Sequence, residues 1–232
     1  MSIDISTCKV NSLVWKLTDE RKSCILLKTR KGDMRMKIVC LGDSITYGST
    51  LKDLSQRWTD LVANELQIEV INRGIGGDST TGMLARLHTE VFPQKPDAIV
   101  FLGGVNDINI IGNYRIPCSN LTSIIVHANY YKVPLLVGLP LPIEPKDMPV
   151  RAWDTDRDYE RTRWLIQKYA HFISHFCEGR QNLRVIDFRS PFLHDDGSVR
   201  RELFNDGIHP NAQGHRIMAD AVCEALRDMF SL

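Results

Sequence analysis

From Lys37 onward, short apolar runs alternate with longer stretches in which apolar side chains recur every three or four residues. The runs at 38–41, 68–71, 98–102, 135–139 and 184–188 are short and mostly apolar, as strands buried on both faces are. Between them, Trp58, Leu61, Val62 and Leu66, then Met83, Leu84, Leu87 and Val91, then Leu121, Ile124, Ile125 and Ala128 each line one side of a helix. A longer stripe runs through Ile166, Tyr169, Ala170, Ile173, Phe176 and Cys177, and a last one through Ile217, Ala221, Val222, Ala225 and Met229. Strand and helix in alternation predict βαβ units around a parallel sheet. The expected fold is α/β, a three-layer α/β/α sandwich on a five-stranded parallel sheet. Right-handed crossovers favour a doubly wound, flavodoxin-like arrangement.

The first 35 residues differ in kind. Residues 12–17 and 23–29 form a possible two-stranded hairpin across the polar stretch 18–22, and such a hairpin needs something to pack on. Residues 1–35 are thus either an accessory ribbon or an extension ahead of a domain that begins at Met36 and fills 36–232. A length of 232 residues suits one sizeable α/β core. Lys and Arg (29) nearly cancel Asp and Glu (28) without charge blocks, so no nucleic-acid partner is expected. The N-terminus lacks the basic and apolar regions of a secretory signal, and no apolar stretch is long enough to span a bilayer. A cytoplasmic location without membrane insertion follows as the expectation. Six cysteines without CxxC spacing read as reduced, mostly packed thiols.

Chemistry concentrates at four places. The first run ends in Leu41-Gly42-Asp43-Ser44-Ile45-Thr46-Tyr47-Gly48, and a serine leaving the carboxyl end of the first strand sits where open α/β sheets place their crevice. Near the C-terminus, Asn205-Asp206-Gly207-Ile208-His209-Pro210 puts an aspartate three residues before a histidine. Such a carboxylate can fix the imidazole tautomer and stabilise the imidazolium formed when the ring takes a serine proton. The segment Asn72-Arg73-Gly74-Ile75-Gly76-Gly77-Asp78-Ser79 can aim a backbone N–H into the crevice. Gly103-Gly104-Val105-Asn106-Asp107 brings a neutral amide with two donor protons. Any one of these is usually turn chemistry. All four follow strands one, two, three and five, and so share one edge of the expected sheet.

Together the four blocks resemble the GDSL or SGNH hydrolase family. Gly42-Asp43-Ser44-Ile45 matches the nucleophile block with Ile in place of the commoner Leu, Gly77 the glycine block, Gly104-Val105-Asn106-Asp107 the asparagine block and Asp206-Gly207-Ile208-His209 the last. The resemblance spans the chain from about Met36 and implies a serine esterase or acylhydrolase acting through an acyl-serine intermediate. Its implied nucleophile is Ser44, its base His209, and the residue orienting that base Asp206. Its implied oxyanion hole is the N–H of Ser44 with Gly77 and Asn106; Gly76 is the near-miss for the glycine, and the following Asp-Ser favours Gly77. No metal or cofactor is called for, and the implied partner is a small-molecule ester: short-chain acyl, aryl or acetyl-sugar.

Other features compete for a role. The hydroxyl-rich loop 44–50 also fits a flavin phosphate in a flavodoxin-like module, and a catalytically inactive carbohydrate-binding relative would keep the fold without the chemistry. His171 and His175, four apart on a helical stripe, read as one polar and one partly buried histidine rather than a metal pair. The Pro-rich 140–149 loop, with Trp153 and Tyr159 after it, is either a wall of the substrate pocket or a rigid connection.

Overall fold

The run that opens the alternating pattern is β1 (Lys37–Gly42), and it lies second in a sheet ordered β2-β1-β3-β4-β5. The computed structural model describes residues 35–148 and 158–232, so the expected hairpin at 12–17 and 23–29, and Trp153, fall outside the described residues. The other strands are β2 (Glu69–Gly74), β3 (Ala98–Leu102), β4 (Leu135–Gly138) and β5 (Leu183–Ile186), every neighbouring pair parallel. The expected doubly wound sandwich is therefore the observed one.

Side chains of a strand alternate between faces, and the two cores follow that period. Val39, Leu41, Ile99, Phe101, Leu135 and Val137 face one core, whereas Ile38, Cys40, Val100, Leu102 and Leu136 face the other. The first core is closed by α3 (Thr80–Ala85), α4 (Val105–Ile111), α5 (Arg115–Tyr131) and α6 (Tyr159–Cys177), the second by α2 (Trp58–Leu66) and α7 (Ala212–Phe230). Among the described residues, no helix is long and apolar enough to cross a membrane.

Three details depart from the sequence pattern. β2 runs on to Gly74 because Asn72 and Arg73 keep pairing with Cys40 and Leu41, the Asn72 amide donating to the Thr46 carbonyl (2.6 Å). β5 ends at Ile186 because the Asp187 carboxylate accepts the N–H groups of Arg189 and Ser190 (both 2.9 Å) and turns the chain. The Met83–Val91 stripe is not one helix. α3 stops at Ala85, a wide turn covers Leu87–Val91 and a tight one, with Pro93 in its first positions, covers Phe92–Gln94. Cys40, Cys177 and Cys223 are buried and Cys118 partly so, all four as free thiols that burial makes harder to ionise.

Candidate active site

β1 delivers the chain at the carboxyl edge of the sheet, where Asp43 caps the four-residue α1 (Ser44–Tyr47) by accepting the Ile45 N–H at Oδ1 (2.9 Å). Asp43 is almost fully buried, and burial pushes its carboxyl up to about 6 against the pull of the Ile45 N–H and of a charged His209. α1 lies tight on the end of β2: a Cβ on Gly74 would come within 2.2 Å of the Tyr47 nitrogen. Only a glycine there lets the backbones meet, and the contact fixes where Ser44 emerges.

Ser44 Oγ lies 2.9 Å from His209 Nε2, across 165 residues of sequence. On the other side of the ring, Nδ1 is 2.7 Å from Asp206 Oδ2. Asp206 Oδ1 accepts the backbone N–H groups of Ile208 (3.2 Å) and His209 (2.8 Å). Burial opposes ionisation of Asp206, but the hydrogen bonds from the His209 ring and backbone prevail and hold its carboxyl below the usual carboxylate range. An ionised carboxylate at Nδ1 keeps the proton there and leaves Nε2 as the acceptor facing the serine hydroxyl. The loop itself is fastened by Asn205 N–H to the His209 carbonyl (2.8 Å) and by Glu144 N–H to the Gly207 carbonyl (2.8 Å). Glu144 and Asp147 of the Pro-rich stretch thus lie against Gly207 of the histidine loop, and Leu141 and Ile143 before them are buried.

Gly77 stands on the loop after β2, and Asn106 in the first turn of α4, which follows β3. Gly77 is exposed with φ 76°, and a Cβ there would meet nothing within 4 Å. Asn106, partly buried, donates one amide proton to the Asp78 carbonyl (2.9 Å) and retains a second. Its neighbour Asp107 is buried and accepts from the Thr80 N–H (2.9 Å) and hydroxyl (2.7 Å), tying the asparagine loop to the start of α3. The four sequence blocks are therefore adjacent in space.

Two groups near the site carry little sequence signal. His215, on the first turn of α7, is fully buried; its Nδ1 accepts the Trp58 N–H (3.3 Å), and its Nε2 has no partner among the described residues. Burial, then the positive charges of Arg57 and His209, pull its imidazole down to about 4. Arg86 is buried between the ends of β1 and β2, and only the fold tells such an arginine from a surface one. His171 and His175 are both exposed with rings 3.9 Å apart, which corrects the expectation that one is partly buried. α6 turns Leu165, Ile166, Tyr169 and Ile173 to the core, leaving positions 171 and 175 outward. Among the described residues, no group of three or more His, Cys, Asp or Glu is arranged to hold a metal ion.

Residues 40–217 match the family model described as the GDSL-like Lipase/Acylhydrolase family. The chain is 24% identical to an acetylxylan esterase of Geobacillus stearothermophilus over 174 residues, 68% of this chain and 71% of that one. It is 26% identical to Esterase TesA of Pseudomonas aeruginosa over 201 residues, 83% of this chain and 89% of that one. The solved lipase/acylhydrolase from Enterococcus faecalis superposes with a TM-score of 0.67 at 25% identity, covering 84% of this chain and 96% of that one. The chain spans 33%, 71% and 89% of the length of three curated relatives that it matches.

Proposed function

We infer a reaction from one premise: this chain belongs to the GDSL-like lipase/acylhydrolase family and is a carboxylic ester hydrolase. Hydrolysis runs through Ser44, His209 and Asp206. The observation that carries this reading is the continuous relay from Ser44 Oγ to His209 Nε2 (2.9 Å) and from His209 Nδ1 to Asp206 Oδ2 (2.7 Å).

In the first half-reaction the Ser44 oxygen attacks the ester carbonyl carbon and its proton passes to His209 Nε2. Asp206 stays ionised beside the imidazolium. The tetrahedral oxyanion is met by the N–H groups of Ser44 and Gly77 and by the free amide proton of Asn106. Collapse breaks the carbon–oxygen bond to the alcohol, which leaves with the proton from His209. Water then enters, gives a proton to His209 and attacks the acyl-serine, and the ring returns that proton to Ser44 as the acid departs. The cycle consumes one water and needs no redox partner.

Small acyl esters are the proposed substrates. The acetylxylan esterase relative supports acetyl groups on sugars, and the exposed apolar side chains of Tyr47, Ile75, Ile110 and Ile111, which lie on or beside the segments that carry Ser44, Gly77 and Asn106, support short aliphatic or aryl groups. The test is Ser44→Ala assayed on p-nitrophenyl acetate, together with fluorophosphonate labelling of the unmodified protein. The variant is expected to lose hydrolysis with little change in its melting temperature, and the label is expected on Ser44. Full activity in Ser44→Ala, or a label on another residue, would remove Ser44 from the reaction.

A further inference from the structure

Arg86 occupies the break between α3 and the turn that follows, with its side chain 9% exposed. Its guanidinium donates from Nη2 to the Gly42 carbonyl (3.1 Å) and the Arg73 carbonyl (2.8 Å). It also donates from Nε to Asp78 Oδ2 (3.0 Å) and from Nη1 to Glu90 Oε2 (3.1 Å). Three of the four acceptors belong to segments that carry a proposed oxyanion donor. Gly42 stands two residues before Ser44, Arg73 four before Gly77, and Asp78 directly after Gly77. Asp78 then passes the link on, because its backbone carbonyl accepts the amide proton of Asn106 (2.9 Å). One planar cation thus touches the nucleophile turn and the glycine loop, and reaches the asparagine loop at one remove.

We propose that Arg86 is the positioning residue of the oxyanion site, holding the Ser44, Gly77 and Asn106 donors in register through its bonds to Gly42, Arg73 and Asp78. The proposal rests on the reading of those three groups as the oxyanion donors. Asn106 has two amide protons, and the one fixed on the Asp78 carbonyl determines where the other points. A rigid fork of five N–H donors can serve two carbonyls and a carboxylate at once; a lysine ammonium has the charge without the fork. Oxyanion donors act when charge develops on the substrate oxygen, so a shift of a few tenths of an ångström is felt in the transition state more than in substrate binding.

Arg86→Lys retains the charge beside Asp78 and loses the simultaneous contacts to the two carbonyls. Its kcat on p-nitrophenyl acetate is expected to fall roughly ten- to a hundred-fold, with KM changed less than about twofold, since outright loss of one donor costs on the order of a hundred- to a thousand-fold. The decisive measurement is a double-mutant cycle with Asn106→Ala. If Arg86 acts through the donor set, of which Asn106 is one member, the penalty for Arg86→Lys is smaller in the Asn106→Ala background than in the parent. A role in folding alone gives penalties that multiply, or lost activity that follows the melting temperature; either result, or an unchanged kcat, overturns the proposal. Should Arg86→Lys fail to fold, Asp78→Ala is read by the same cycle, because it removes the side-chain acceptor that Arg86 grips and leaves the backbone carbonyl that Asn106 grips. Full kcat in Asp78→Ala would equally overturn it. A wild-type kcat in Asn106→Ala alone would instead sink the oxyanion reading, and this inference with it.

Discussion

The Ser44 turn at 42–48 and the histidine loop at 205–211 meet across 2.9 Å, yet they are held by different forces. The turn is held by packing. Gly42, Asp43, Ile45, Thr46 and Gly48 are buried, and Gly74 leaves no room for even a methyl group beside Tyr47. The loop is held by hydrogen bonds closed over two to four residues, with the Glu144 tie as a long-range addition. The carboxylates record the difference. Burial pushes Asp43 up to about 6. Asp206, also opposed by burial, is held below its ordinary value by three N–H donors. The same side chain is thus shifted in opposite directions by burial and by the donors it is given, and the donor-rich one, beside the imidazole, is held below the ordinary carboxylate range.

Replacing the charge in the loop breaks this contrast most severely. In Asp206→Asn the amide oxygen can still accept the Ile208 and His209 N–H groups, so the loop has reason to keep its shape. The amide nitrogen then faces His209 Nδ1 and donates to it, which forces the ring proton onto Nε2, toward Ser44. A ring in that tautomer cannot take the serine proton. We expect kcat on p-nitrophenyl acetate to fall by about 10⁴-fold, as for the equivalent change in serine proteases, with the melting temperature nearly retained. A loss below tenfold would show that Asp206 does not set the tautomer.

The turn should break by a different route. Gly74→Ala places a carbon where the Tyr47 nitrogen lies 2.2 Å and the Thr46 carbonyl carbon 2.6 Å away, and neither is a side chain that can swing aside. Overpacking against backbone is expected to cost about 3 kcal/mol of stability, with activity lost as Ser44 is displaced. Urea unfolding of this variant against the parent is the check, and a midpoint shift under a few tenths molar would mean that the turn is not held by packing.

The two regions are also unequally legible in the sequence. Asp206 and His209 are three residues apart, so their pairing can be read from spacing once the loop is recognised. Ser44 can be placed at the crevice because the apolar run before it is a buried strand. Right-handed crossovers between such runs favour a doubly wound sheet, and the order β2-β1-β3-β4-β5 is read from the structure. What cannot be read is the scaffolding between strand ends. Arg86 lies within an apolar stripe that has the period of one helix from Met83 to Val91, and its four acceptors come from two distant segments, at Gly42 and at Arg73 and Asp78, and from Glu90 in the turn that follows it. The strand ends at Gly74 and Ile186 are displaced for the same reason, since Asn72, Arg73 and Asp187 take their conformation from hydrogen bonds rather than from apolar period.

A smaller effect comes from His215, buried in the first turn of α7. His215 has its folded value lowered from 6.5 to about 4 because burial penalises the cation. A group depressed in the folded state contributes stability that is full above about 6.5 and is lost as pH falls, the loss being complete below about 4. At ~1.4 kcal/mol for each tenfold change in proton affinity, the drop corresponds to roughly 3–4 kcal/mol. Asp43 runs the other way: raised from 3.8 to about 6, its contribution is full below 3.8 and is lost as pH rises through about 6. The two oppose each other in the overlap, so the measurement has to be a difference. Thermal unfolding of the parent and of His215→Gln between pH 7 and pH 4 should show the parent losing stability faster on acidification. Parallel curves would mean that His215 is not held neutral by its surroundings.

The mildest change tests whether room at the site is itself a property of the fold. Gly74 ends β2 and Gly77 lies three residues on, in the loop that leaves it, and their surroundings are opposite. Gly77 has φ 76° with nothing within 4 Å of where a methyl group would stand, whereas Gly74 is crowded by backbone. An alanine at 77 meets no atom and bears only the left-handed backbone penalty, about 1 kcal/mol. Gly77→Ala should therefore unfold within about 1–2 kcal/mol of the parent in urea, well short of Gly74→Ala. Space beside a proposed oxyanion donor is what an incoming carbonyl needs, and the exposed loop leaves it open at little expense in packing. If Gly77→Ala proves as destabilising as Gly74→Ala, the loop is tighter than its geometry indicates, and the entry of substrate at that side has to be redrawn.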